Sequence, residues 1–226
     1  MQPSKRFGAR ALIIASLVAA GPTFADTVNS YQQNGYTLTV TDKNSGIAQS
    51  TVDTMISTFF TIYPKEAADF NPNTSKTVNI VLDPSYDGVA ATANATETYG
   101  AAYMIANPND TDTVTHESMH IVQDYGQQNI PGWLVEGIAD YARNRYGVNN
   151  AAAGWSLPDY APGQNYTDSY RITARFLVWV EEHHAGTVQG LDAALRGRSY
   201  TDQTWAQLTG ADVDTLWAQY TASPGI

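Results

Sequence analysis

The chain has 226 residues and carries 12 basic against 22 acidic side chains, so that its formal net charge is −10. An acidic surface repels phosphate, which excludes nucleic acid as an expected partner. The chain contains no cysteine, which excludes disulfides and leaves histidine, aspartate and glutamate as the strong metal ligands.

Residues 1–25 are typical of a secretory signal peptide. Basic residues precede an apolar run over residues 11–20, and small residues lead up to Ala25. The apolar run is shorter than the roughly 20 residues that cross a membrane, which disfavours the alternative of a membrane anchor. We therefore predict cleavage after Ala25, secretion to the extracellular or periplasmic space, and one monomeric domain over residues 26–226 without membrane contact.

The first half of the remaining chain mixes strand and helix patterns. Residues 36–42 alternate between apolar and polar side chains, as in a strand. Residues 47–70 have helical spacing, and Pro64 is expected to end or interrupt that helix. Residues 76–84 indicate a second strand, and residues 98–108 a third extended segment.

The second half is predicted to be helical. Cap and stop residues bound the three longer helices, and the shorter ones are amphipathic. The predicted helices cover residues 109–126, 131–147, 166–186, 187–198, 201–210 and 212–222. This order predicts an α+β fold, in which a small N-terminal mixed sheet with a helix is followed by an active-site helix and a mainly helical C-terminal half. Residues 149–165 are expected to cover a cleft or to act as a connector, and residues 110–112 to cap a helix.

The stretch "THESMHIVQDY" over residues 115–125 contains the H-E-x-x-H pattern. Residues four apart lie about 40° apart around a helix, so His116 and His120 face one point from adjacent turns. In this motif the two histidines bind zinc, and the glutamate, here Glu117, takes a proton from the attacking water. The alternative is an ordinary pair of surface histidines.

A catalytic zinc usually has three protein ligands, so a third ligand is expected from another element. Glu136 follows three apolar residues in the next predicted helix, where a carboxylate needs a partner. Asp140 lies one turn further on the same face, and its carboxylate is placed to accept the second ring N–H of a zinc-bound histidine. The alternative for both is a solvated helix face.

The segments "HESMH" and "WLVEGIADY" resemble those of gluzincin zinc metallopeptidases, whose third ligand is a glutamate in a downstream helix. More closely, "THESMHIVQDY", "PGWLVEGIADYAR", "YRITARFLVWVEEHH" and "LWAQY" resemble the family of peptidases of plants and bacteria, also called plant basic secretory proteins. The resemblance extends from about residue 36 to residue 220. It implies a zincin-like fold, Zn²⁺ as the cofactor and a peptide or protein substrate. The word "basic" does not transfer, because this chain is acidic.

The resemblance also suggests further site residues. In aminopeptidase-like gluzincins a tyrosine at the start of a later helix donates to the oxyanion, and Tyr170 has a similar position; the alternative is a core or cleft-wall aromatic. Independently of the resemblance, Arg171 and Arg175 are candidates for orienting the substrate, but such arginines more often pair with carboxylates on a helix face. Residues 98–108 either bind substrate as an edge strand or form an ordinary strand. The two adjacent histidines at residues 183 and 184 are interpreted as structural, at a helix C-terminus.

Together these patterns predict a secreted zinc-dependent metallopeptidase that hydrolyses peptide bonds. One alternative is a zinc-binding surface module for carbohydrate or protein that has lost turnover. The presence of Glu117 argues against it, since a protein that only binds does not need a general base. The other alternative is a zinc hydrolase that acts on cell-wall peptides.

Overall fold

The computed structural model describes residues 25–126 and 128–226. The predicted signal peptide lies outside these ranges except for its last residue, Ala25. Among the helices of the described residues, none is both long and apolar enough to span a membrane.

A mixed five-stranded sheet forms the N-terminal part of the described chain. The strands are β1 (Thr27–Gln33), β2 (Tyr36–Asp42), β3 (Thr77–Asp83), β4 (Ala90–Ala93) and β5 (Thr96–Gly100), in the spatial order β1-β2-β3-β5-β4. The central pairs β2–β3 and β3–β5 are parallel, whereas the outer pairs β1–β2 and β4–β5 are antiparallel. Strand β4 is therefore the edge next to β5.

Helices make up most of the remaining chain. They are α1 (Gln49–Asp69), α2 (Ala101–Ala106), α3 (Thr113–Gln123), α4 (Gly132–Tyr146), α5 (Asn150–Ala153), α6 (Tyr170–His183), α7 (Thr187–Arg196), α8 (Gln203–Thr209) and α9 (Val213–Ala222), with a 3₁₀ turn at Tyr166–Asp168 before α6. The predicted α+β architecture, with a small sheet first and a helical half after it, is confirmed.

Two sequence predictions for the N-terminal half are wrong. Pro64 lies inside α1 and does not end it, because the flanking Tyr63 and Ala67 are buried and their packing outweighs the lost backbone hydrogen bond. The second error concerns residues 98–108. Strand β5 ends at Gly100, and the next six residues form α2, since this alanine-rich stretch favours a helix.

The same segment is also not an edge strand. Strand β5 lies between β3 and β4 and pairs with both, so its backbone is not available to a substrate. The edge strand on this side of the sheet is β4, which the sequence patterns did not predict. Gly100 is required where β5 ends, because a Cβ there would lie 2.1 Å from the carbonyl oxygen of Gly88.

Helix α3 lies against α1 on one side and α4 on the other. It ends at Gln123, three residues before the predicted stop at Gly126, because Asp124 adopts the left-handed conformation with φ 43°. Aspartate tolerates that conformation better than most residues. Helix α4 packs closely on α6 at Gly137, where a Cβ would lie 2.2 Å from Cγ2 of Thr173. This close approach fixes the turn of α4 that carries Glu136.

Candidate metal centre

Three side chains from α3 and α4 converge on one point. The Nε2 atoms of His116 and His120 lie 3.2 Å apart, and Oε2 of Glu136 lies 3.2 Å from the first and 3.5 Å from the second. A tetrahedral centre with bonds of about 2.0–2.1 Å has ligand atoms about 3.3–3.4 Å apart. The three observed separations fit such a centre, and the residues form a group able to hold a metal ion.

Each histidine has a hydrogen-bond partner on its other ring nitrogen. Nδ1 of His116 lies 2.7 Å from Oδ1 of Asp140, and Nδ1 of His120 lies 2.7 Å from Oε1 of Gln123. Both partners are acceptors, so each Nδ1 carries a proton, and Nε2 is the ring nitrogen left to bind a metal ion. The two Nε2 atoms and the Glu136 carboxylate lie within hydrogen-bond distance of one another, an arrangement that stabilises a positive charge among them, either a proton on an imidazole or a metal ion.

Gln123 is a site residue that sequence reasoning missed. Its side chain is buried, accepts from His120, and donates Nε2–H to the backbone oxygen of Val135 at 2.9 Å. It therefore joins α3 to the turn of α4 that precedes Glu136. The only available signal was its position three residues after His120, on the same helix, and no motif marks that position.

The electrostatics of the metal-free protein also favour a positive charge in the centre. Burial opposes protonation of His116, but the hydrogen bonds to Asp140 and Glu136 outweigh it and raise the pKa of the imidazole to about 10. Burial likewise opposes ionisation of Glu136, yet hydrogen bonds from His116 and His120 lower the pKa of its carboxyl. The carboxylates thus stabilise whichever cation lies among these three side chains.

We expect Gln123→Leu to lower zinc affinity about 10- to 100-fold, the usual effect of losing a ligand's hydrogen-bond partner. Leucine fills a similar volume but accepts no hydrogen bond from His120. Competition with a chromophoric chelator measures the affinity. Gln123→Glu is the matched control: it retains an acceptor oxygen for His120 and should bind zinc at least as tightly as the wild type. Equal zinc affinity in Gln123→Leu and the wild type would contradict the assignment.

Glu117 and Tyr170 border the same cleft, whose volume is about 1170 Å³. Glu117 accepts a hydrogen bond from Thr92 of the edge strand β4. Tyr170 begins α6, and its ring lies nearly parallel to the His116 ring with centroids 6.1 Å apart. Tyr170 is 54% exposed, which agrees with a cleft-wall position and excludes the core alternative.

The backbone before α6 is strained where it presents Tyr170. Ser169 and Tyr170 have φ values of 69° and 48°, a region that residues other than glycine rarely adopt. The negative charge of Glu136, followed by burial, raises the pKa of the Tyr170 phenol. The hydroxyl therefore keeps its proton near neutral pH and is available as a hydrogen-bond donor.

Of the other predicted residues, one lines the cleft and two make structural contacts elsewhere. Arg171 lines the cleft and donates to the backbone oxygen of Ser156 at 3.3 Å. Arg175 instead pairs with Asp159 at 3.3 Å and donates to the backbone oxygen of Pro224 at 3.1 Å, which agrees with the alternative that it pairs with a carboxylate. His183 donates to the carbonyl of Trp179 at 2.8 Å, in agreement with a structural role.

Asp112 occupies the N-cap position of α3, but its side chain caps no helical N–H. Its carboxylate accepts the backbone N–H groups of Val148 and Asn149, which follow α4. Capping by this side chain is therefore wrong, because the buried carboxylate is already used to hold the loop after α4. That loop reaches the cleft at Gly154 and Trp155, which favours the first of the two roles expected for residues 149–165, a loop over a cleft rather than a connector.

A buried carboxyl lies behind the H-E-x-x-H motif. Glu97 of β5 accepts hydrogen bonds from Tyr99 at 2.6 Å and from Ser118 at 2.8 Å. Burial raises the pKa of this carboxyl to about 8, although both hydrogen bonds act in the opposite direction. Glu97 is thus neutral in the folded protein under conditions that ionise it in the unfolded chain.

This difference predicts that the contribution of Glu97 to stability is complete below about pH 4.5 and is lost as the pH rises to about 8. The loss is on the order of 4 kcal/mol. Urea unfolding of the wild type and Glu97→Gln between pH 5 and pH 8 measures it, and the variant should gain stability relative to the wild type as the pH rises. Parallel pH curves for the two proteins would contradict the assignment.

Residues 24–220 match the family model of the peptidases of plants and bacteria. The chain belongs to this family. No curated protein matches the chain. The family match confirms the predicted family, and the observed order of strands and helices confirms the predicted α+β class.

Solved structures of M1 zinc metallopeptidases are similar to this member of the family. A two-domain M1 zinc metallopeptidase variant bound to L-arginine has 14% identity and a TM-score of 0.43, over 89% of this chain and 49% of its own. An M1 zinc metallopeptidase from Deinococcus radiodurans has 12% identity and a TM-score of 0.38, over 89% and 48%. The chain spans about half the length of these structures.

Proposed function

We propose that this member of the peptidases of plants and bacteria is a zinc-dependent peptidase of the gluzincin type. The observation that carries the proposal is the convergence of His116 Nε2, His120 Nε2 and Glu136 Oε2, with separations of 3.2–3.5 Å, beside Glu117 in an open cleft. From the composition of residues 1–25 we further propose that the protein is exported.

The donor set suits zinc. Two imidazole nitrogens and one carboxylate oxygen are a common catalytic zinc set, and they leave one position open for water or substrate. His116, His120 and Glu136 would hold the ion, with Asp140 and Gln123 fixing the imidazole orientations. When bound, zinc supplies a Lewis acid that polarises the scissile carbonyl and increases the acidity of water.

Glu117 is the general base of the proposed reaction. It follows His116 directly on α3, so its carboxylate borders the space in front of the three ligand atoms. The carboxylate takes one proton from the attacking water and then delivers it to the nitrogen of the leaving amine. This transfer completes the hydrolysis without a covalent intermediate on the protein.

Tyr170 is the proposed donor to the developing oxyanion. Its ring stacks on that of His116, and its phenol keeps its proton at neutral pH. A neutral O–H group that points at a developing negative charge stabilises the transition state more than the ground state. The strained backbone at Ser169 and Tyr170 places this side chain at the cleft.

The proposed substrate is an extended peptide that pairs with the free edge of β4. Gly100 donates its backbone N–H to the oxygen of Val89 at 3.0 Å, so the backbone groups of Val89 face β5. Backbone groups alternate in direction along an antiparallel strand, so Ala91 also faces β5, whereas Thr92 directs its N–H and C=O to the free edge. Edge strands bind peptides through such groups.

Cleavage of an unfolded protein tests the proposal. The purified protein is incubated with casein, and the products are identified by mass spectrometry, before and after treatment with a chelator. We expect cleavage that stops on chelation and returns when zinc is added. Stoichiometric zinc without cleavage of any peptide would contradict the peptidase and would favour a binding protein.

A further inference from the structure

The edge strand β4 contacts the proposed general base through one hydroxyl. Oγ1 of Thr92 lies 2.7 Å from Oε2 of Glu117 and 3.2 Å from the backbone oxygen of the same residue. The Thr92 hydroxyl has one proton to donate, and the Glu117 carboxylate oxygen is the closer of its two acceptors. Hydrogen bonds to charged acceptors are stronger than those to neutral acceptors. This contact joins two elements separated by 25 positions in the sequence.

A second contact fixes the same part of α3 to the sheet. Thr92 pairs across the hairpin with Glu97 of β5, and Glu97 accepts the hydroxyl of Ser118 at 2.8 Å. Successive residues of α3, Glu117 and Ser118, are therefore hydrogen-bonded to opposing residues of the β4–β5 hairpin. These hydrogen bonds therefore fix the position of the β4–β5 hairpin relative to α3 at Glu117, the proposed general base.

We propose that Thr92 is a positioning residue for proton transfer, an inference that rests on the proposed function. Its hydroxyl holds the Glu117 side chain in one rotamer by occupying Oε2. Oε1 of Glu117 accepts no hydrogen bond from the described residues and is the oxygen left to take the proton of the attacking water. Without the hydroxyl, the carboxylate rotates among several rotamers, and fewer of them face the water.

Thr92 also joins substrate binding to catalysis. Its backbone N–H and C=O are directed to the free edge of β4, where the extended peptide is proposed to pair, while its side chain faces α3. A peptide bound along β4 therefore lies beside the residue that orients the base. Because Thr92 is next to both the bound peptide and Glu117, it favours alignment of the scissile bond with the general base.

The test compares Thr92→Val, which removes the hydroxyl and keeps the branched shape, with Thr92→Ser, which keeps the hydroxyl. We expect the valine variant to lower kcat about 10- to 100-fold with KM within about twofold, and the serine variant to remain within about threefold of the wild type. Zinc content should be one equivalent in both. Thr98→Val is the matched control, because Thr98 lies on β5 with its side chain on the opposite face from Glu97.

Crystal structures of the same variants supply a readout that does not depend on activity. We expect the Glu117 carboxylate to leave its position in Thr92→Val and to keep it in Thr92→Ser. Thr92→Ala serves as a second hydroxyl-free variant if valine prevents folding. Wild-type kcat in a folded hydroxyl-free variant, or an equal loss in the serine variant, would overturn the proposal.

The two experiments separate the proposals from each other. If the wild type holds zinc but cleaves no peptide, the proposed function fails, and the crystal structures still decide whether Thr92 sets the Glu117 rotamer. If the wild type cleaves and Glu117 stays in place without the hydroxyl, the peptidase stands and the positioning role of Thr92 is refuted.

Discussion

Glu117→Gln is expected to abolish measurable peptide cleavage and to leave the metal in place. Glutamine has the size of glutamate but takes no proton from water, and the loss of a general acid–base group costs about 10²–10⁴-fold in rate. Because Glu117 is not one of the three converging ligands, zinc content should remain at one equivalent. Initial rates on a casein-derived peptide, with zinc measured on the same samples, provide the comparison.

The Glu117→Gln test has a matched control and a result that would contradict it. Glu182→Gln makes the same chemical change on an exposed position of α6 and should retain wild-type rate and zinc. Cleavage by Glu117→Gln at more than about a tenth of the wild-type rate would contradict its role as the base. Loss of zinc from this variant would mean that Glu117 belongs to the ligand set.

Glu136→Ala is expected to lose zinc binding and the stability that zinc provides. The substitution removes the only carboxylate among the three ligand atoms, so two histidines remain and the charge that favours the cation disappears. A ligand in thousandfold excess over its dissociation constant stabilises the folded state by about 4 kcal/mol. The wild-type melting temperature should therefore rise on zinc addition, and that of Glu136→Ala should not.

The effect of Glu136→Ala must be separated from a general loss of stability. Glu182→Ala, the same change at the exposed position of α6, should respond to zinc as the wild type does. Each variant is also measured in the presence of a chelator, so that its own metal-free melting temperature is the reference for the zinc-induced rise. A zinc-induced rise in Glu136→Ala equal to that of the wild type would show that the ion binds elsewhere.

Much of the candidate site follows from local pattern. His116, Glu117 and His120 are recognisable because four-residue spacing on a helix puts two imidazoles on one face. The glutamate of α4 is recognisable because a carboxylate directly after an apolar run needs a partner. These local rules act within one helix, where the sequence distance determines the spatial distance.

The rest depends on tertiary packing. Strand β1 is almost entirely exposed and β4 consists of small residues, so neither has the alternating apolar pattern that identifies a strand. Both form by pairing with a neighbour in a hairpin. The contacts of Gln123 with α4 and of Thr92 with Glu117 also join distant segments, and no spacing rule in the sequence relates those partners.

Pro64 and residues 98–108 illustrate the opposite failure, in which a local rule is outweighed. A proline usually ends a helix, yet the buried neighbours of Pro64 hold α1 together through it. The segment after Gly100 is apolar enough for a strand, but β5 is already closed by its pairing with β4, and the chain turns into α2. Packing outweighs the proline rule in α1, whereas after Gly100 the helix propensity of alanine outweighs the apolar pattern of a strand.

The central claim is that His116, His120 and Glu136 bind one zinc ion. Anomalous diffraction from crystals grown with zinc, recorded on both sides of the zinc absorption edge, tests it most directly. The predicted result is a single anomalous peak about 2.0–2.2 Å from the two Nε2 atoms and the Glu136 carboxylate. The absence of a peak at these three atoms in zinc-saturated crystals would contradict the account.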